Sequence, residues 1–124
     1  MKLRIAAVDL VSNTCFPVLA ADELGLFKAE GLDARIELVA TLGATRALRA
    51  GEADAMIAGS VHDVLTEFPD WQGVKIVVAL SQGTPWLLVV RADLECQRGD
   101  IRAVKGLNLT AAQGPDLALK QMLH

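Results

Sequence analysis

The chain has 124 residues and a mass of 13.2 kDa; 52% of its residues are hydrophobic and 22% charged, and the mean hydropathy is +0.36. That is the length of one ordinary domain, apolar enough to bury roughly two-thirds of its unfolded surface, and it excludes disorder, which needs low hydrophobicity and high charge. Twelve Lys and Arg against fifteen Asp and Glu leave a net charge of −3 and a pI near 5.3, which argues against nucleic acid or an anionic membrane surface as a partner.

Residues 3–10 are rich in Ile, Val, Leu and Ala and read as a buried strand. Asp9 interrupts this run, and Ser12, Asn13 and Thr14 follow it, so it is not read as a signal peptide. The chain is then expected to be either cytoplasmic or a processed form of an exported protein. Pro17 suits the first turn of a helix, Ala20, Leu24 and Phe27 repeat at helical spacing, and Gly31 is expected to end that helix. A second strand is expected over 35–39, a turn over 41–43, and a short helix over 44–50 closed by Gly51.

A third strand is expected over 54–58. Ser60 with Asp63 forms a helix start resembling a capping box; Val61, Val64, Leu65 and Phe68 continue the helix, and Pro69 stops it. Residues 74–80 form a near-continuous apolar run, the pattern of a strand covered on both faces. A loop at 81–85, a strand at 86–90, a polar connector at 92–105, a strand at 107–112 and a helix from Gly114 through Met122 complete the pass. Alternation of strands and helices predicts an α/β fold with a mainly parallel, doubly wound sheet.

In such sheets ligands bind beyond the carboxyl ends of the strands. Here those ends are Asn13, Thr14 and Cys15 with Ser12 before them; Thr41, Leu42 and Gly43; Ser60, Val61 and His62; and Gln82 and Gly83. Three of these loops lead into helix N-termini, whose free N–H groups suit a polar or anionic group. Small polar residues serve equally as caps and turns, so each loop alone carries little; four at one sheet edge carry more. The phosphate-binding glycine motifs and the nucleophile elbow G-x-S-x-G do not occur. Cys15 and Cys96 have no metal-ligand spacing, so no metal, cofactor or disulfide framework is expected. Cys15 just before a helix start, with His62 as its base, is the one nucleophile candidate.

The passage 21–32 reads A-x-x-x-G-x-F-x-x-E-G-L, and 47–55 reads A-L-x-x-G-x-x-D-x. Together with 83–91 and with Val104-Lys105-Gly106, where the family has L-K-G, they resemble the substrate-binding proteins of ABC importers for sulfonates, taurine, nitrate and thiamine-precursor pyrimidines. The resemblance covers nearly the whole chain in order. It implies a type II periplasmic-binding-protein-like fold, with residues 1–92 as a first lobe, 93–106 as connector and hinge, and 107–124 as the start of an incomplete second lobe. A small organic anion or heterocycle would lie in the cleft between lobes, against the strand-end residues named above and against Gln113 and Gly114 of the second lobe. The implied partners are the importer's membrane subunits, and the implied location is extracytoplasmic. A desulfinase resembling these proteins uses a cysteine in an S-N-C loop; here 12–15 is similar, with Thr14 inserted, which gives an enzyme as the alternative reading. A ligand-sensing domain of a regulator is the third. The chain is expected to be a truncated lobe that leaves Leu117, Leu119, Met122 and Leu123 uncovered and so favours a homodimer or segment-exchanged dimer.

Overall fold

A computed structural model describes residues 1–57, 61–80 and 87–123, apart from the side chains of Thr41, His62, Thr66, Gln113, Gly114 and Leu117. The chain divides into two compact units, Met1–Gln82 and Gly83–His124.

The first unit is mixed α/β. Strand β1 (Lys2–Ala7) runs down the middle of a three-stranded sheet, with β2 (Asp33–Leu38) on one side and β3 (Ala55–Ile57) on the other, all parallel. Alternation along β1 sends Leu3, Ile5 and Ala7 to one face. There they meet Ala34, Ile36 and Ile57, and are covered by Cys15, by Val18 of helix α1 (Phe16–Glu23) and by Phe27 of the short helix α2 (Leu26–Ala29). Ala6 points to the other face and packs with Met56 under Ala44 and Ala47 of helix α3 (Thr41–Ala50). Alanines here let the α3 backbone lie close to the sheet. Helix α4 (Val61–Glu67) lies against α3; its Val64 and the following Phe68 are buried.

Several boundaries differ from the sequence pattern. The helix expected from Pro17 to Gly31 is two helices, because Gly25 takes φ +70°, a left-handed conformation that glycine adopts without strain. Residues 41–43 are the first turn of α3 rather than a separate turn: extended Ala40 starts the helix, and the Gly43 amide donates to the Ala40 carbonyl at 2.7 Å. At the other end Gly51, φ +72°, closes α3, and the Glu52 amide reaches back to the Ala47 carbonyl. Strand β1 stops at Ala7 instead of continuing to Leu10, because the Asp9 side chain turns the chain.

The largest correction concerns the later strands. Residues 74–80, 87–90 and 107–112 form no strand, and among the described residues nothing pairs with the open edge of β3. Ile76, Val77 and Val78 are exposed, Val77 at 93%; only Leu80 reaches the core beside β1. An apolar run identifies surface that needs covering but not the ladder that covers it, and a strand exists only with a hydrogen-bonded neighbour.

In the second unit the connector contains a short 3-10 helix, Ile101–Val104. Asp100 starts it by accepting from the Arg102 amide, and Val104 is buried. Helix α5 (Gln113–Leu123) carries a Lys120–Asp116 pair at 2.6 Å one turn apart. Met122 and Leu123 are exposed, in keeping with the expected uncovered face, whereas Leu119 is half-buried.

At the base of the sheet, Arg4 and Asp54 form a two-pronged pair. Arg4 Nε and Nη2 donate to the two carboxylate oxygens at 3.1 and 2.7 Å, and the Arg4 amide donates to Asp54 Oδ2 at 2.9 Å. These side-chain and amide bonds from Arg4 bring the Asp54 carboxyl down to about 2 from its ordinary 3.8. A depressed folded-state value gives stability that is present above the ordinary carboxyl range and is lost as pH falls from about 4 toward about 2. Urea unfolding at pH 7 and pH 2.5 should therefore show a larger acid-induced loss for the wild type than for Asp54→Asn; equal losses would mean the pair is not formed in solution.

Candidate functional site

The register that pairs Ala7 with Leu38 and with Ile57 brings the ends of all three strands side by side. The segments that follow β1 and β2, 8–15 and 39–43, thus leave the sheet at one edge, the edge at which a parallel sheet places its ligands.

The loop after β1 is organised by Asp9. Its Oδ1 accepts the Val11 amide at 2.9 Å and the Ser12 amide at 2.6 Å, an arrangement in which a side chain mimics a backbone turn. The Ser12 carbonyl then takes the Cys15 and Phe16 amides at 3.1 and 3.0 Å, which hands the chain into α1. The Ser12 and Thr14 hydroxyls bond each other at 2.7 Å. The Ser12 amide above all, helped by the Val11 amide and by the Ser12 and Cys15 side chains, holds the Asp9 carboxyl below the ordinary carboxylate range, against a smaller opposing effect of burial. Asp9 is absent from the site expected from sequence. Its signal was an acid at a strand end followed two and three residues on by amides it could bind.

Of the expected site residues, Asn13 is exposed and Thr14 half-buried. Cys15 is fully buried and packs with Ile5, Ala7 and Ile57. Leu42 and Gly43 are half-buried in the first turn of α3 beside Thr41, whose backbone opens that helix. No side chain caps α3; the nearby Thr45 hydroxyl is buried and donates to the Leu42 carbonyl at 3.2 Å. Val61 is exposed at the start of α4, His62 follows it in the same turn, and Asp63 is buried there. Ser60, Gln82 and Gly83 lie outside the described residues. Gln113 and Gly114 open α5 in the second unit. The structure thus brings the first two segments and the start of α4 to one edge.

The cavities lie elsewhere. One of about 80 Å³ sits between Arg4, Glu37, Glu52 and the base of α3, too small for more than a few waters. Another of about 340 Å³ lies in the second unit between Val89, Arg91, Leu94 and Leu107. Among the described residues no three His, Cys, Asp or Glu side chains are grouped to hold a metal ion, and no helix is long and apolar enough to cross a membrane. No protein-family model, curated protein or solved structure matches the chain.

The two cysteines, both free, differ in access: Cys15 is sealed and Cys96 is part-exposed. A disulfide-exchange reagent should titrate one thiol in the native protein and a second only in denaturant. Rapid native reaction of both would show that the 8–15 loop opens readily.

Proposed function

We propose that the chain is a solute-binding component of an ABC-type importer, or part of one, that holds a small organic anion or heterocycle without covalent chemistry. The observation that carries this reading is the parallel sheet whose three strand ends deliver 8–15, 39–43 and the start of α4 to one edge, in the chain order of the passages that resemble this family. The same passages fall at positions with a physical role. Gly25 breaks the first helical region, Gly51 closes α3, and Asp54 holds β3 to β1. On this reading the first unit is a doubly wound, type II binding-protein-like lobe, the residues after the connector begin the second, and the partners are the importer's membrane subunits outside the cytoplasm.

Ligand recognition then rests on hydrogen bonds. Asn13 offers an exposed amide, Ser12 and Thr14 offer hydroxyls, and α3 presents an N-terminus that no side chain caps. Burial of Cys15 favours binding over turnover, because a nucleophile must reach its substrate.

Thermal denaturation in the presence of sulfonates, nitrate, carboxylates and pyrimidines tests the reading. A ligand at a hundred times its Kd stabilises the native state by about 2.7 kcal/mol, on the order of 10 °C for a domain of this size. One class should give such a shift, and Asn13→Ala should weaken binding roughly tenfold by removing one hydrogen-bonding group, which about halves the shift at the same ligand concentration. No shift with any class would defeat the proposal.

A further inference from the structure

The binding site so far admits either an anion or a heterocycle, and the distribution of charge chooses between them. Resting on the binding reading, we propose that the strand-end edge of the first unit selects a neutral or cationic nitrogen-bearing small molecule over oxyanions, and that Asp9 sets this selectivity.

The first observation is where the positive charge lies. Residues 8–15, 39–45 and 58–66 contain no Lys or Arg. The four arginines of the first unit are all engaged with other groups. Arg4 is held by Asp54 at 2.7 Å, Arg35 by Glu37 at 3.0 Å and Arg46 by Glu67 at 3.2 Å. Arg49 stacks over the Phe68 ring at 5.6 Å and donates to the Glu67 carbonyl at the end of α4. A sulfonate or nitrate arriving at these segments would find no Lys or Arg of their own to pair with.

The second observation is what already occupies the amides. Backbone N–H groups gathered in a turn form the usual small-anion receptor where no cation is at hand. After β1 those groups are the Val11 and Ser12 amides, and both are taken by the Asp9 carboxylate. Asp9 behaves as a built-in anion. It fills the receptor, and its negative charge opposes a second anion while attracting an amine or a protonated ring nitrogen. What remains open to a ligand beside this charge is the Asn13 amide and the paired Ser12 and Thr14 hydroxyls, groups that can accept from ring N–H and amino donors, and the start of α3, which no side chain caps and whose backbone amides can donate to a ring nitrogen.

Equilibrium binding of four probes to the full chain tests this: methanesulfonate, nitrate, 4-aminopyrimidine and 4-aminopyridinium. The two aminated rings should bind at least tenfold more tightly than either oxyanion. Asp9→Asn keeps an oxygen for the Val11 and Ser12 amides but removes the charge, and should weaken 4-aminopyridinium at least fivefold; Asp9→Glu should keep the order of preference. If methanesulfonate or nitrate binds the wild type as well as the rings do, the selectivity proposal falls while the binding reading stands. An unchanged preference in a folded Asp9→Asn variant also overturns the role of Asp9. If none of the four binds, the binding reading fails and takes this inference with it. Should Asp9→Asn not fold, sodium chloride decides on the wild type: screening should weaken 4-aminopyridinium and leave neutral 4-aminopyrimidine unchanged, and salt-independent binding of both overturns the proposal.

Discussion

Everything in the first unit is hung on β1, and Arg4 near the base of that strand decides where β3 lies. Strand β3 is only three residues long, so its ladder alone specifies register weakly. Arg4 and Asp54 supply what the ladder lacks. Main chain meets side chain at Arg4 N to Asp54 Oδ2, main chain meets main chain at Asp54 N to Arg4 O, and the guanidinium spans the carboxylate and the Gly51 carbonyl. Because the guanidinium also holds Gly51, the end of α3 and the start of β3 are tied to one point. A slip of one residue would turn Ile57 away from Ile5 and Ala7 and bring Met56 into its place. The pair is half-exposed, so its value lies less in raw energy, which solvent screens, than in excluding that slip.

This clasp explains how much was legible in the sequence. The alternation of strand and helix from Lys2 to Glu67 follows from two periods, two residues for β1 and three to four for the helices, and each period reports which face is buried. Gly51 and Pro69 mark helix ends through local backbone preferences that need no partner. Residues 74–80 and 87–90 show where this stops. Ile76, Val77 and Val78 have the composition of a buried strand, yet burial is a relation to other segments, and composition at one segment cannot name its neighbour. Gly25 shows a smaller version of the limit. The spacing of Ala20, Leu24 and Phe27 is helical throughout, and only the backbone at Gly25 reveals that the second half of the stripe belongs to a new helix with its own direction.

Cys15 illustrates why a residue type is a poor guide to a role. A cysteine just before a helix invites a reactive thiolate, because the helix start stabilises negative charge. That argument needs the sulfur on the solvent side of the turn. The turn here is closed by Asp9, which draws the Ser12 and Val11 amides inward, and the residue that follows the turn is delivered to the sheet face with Ile5, Ala7 and Ile57. Asn13, two residues earlier, is delivered outward by the same geometry. The division between core and surface in this loop is therefore set by one carboxylate, not by the polarity of the residues it sorts.

Two aspartates thus bracket the central strand, and they use negative charge to opposite ends. Asp54 at the base binds a cation and is neutralised by it, so the base carries little net field and serves as a fixed point. Asp9 at the strand end takes two backbone amides, dipoles that stabilise its charge without cancelling it. Its field therefore reaches whatever approaches the edge. In the first unit the arginines are instead paired with Asp54, Glu37 and Glu67 or stacked on Phe68, and none lies within 8–15. The rigidity of the base and the polarity of the edge are consequences of one arrangement of charge along β1.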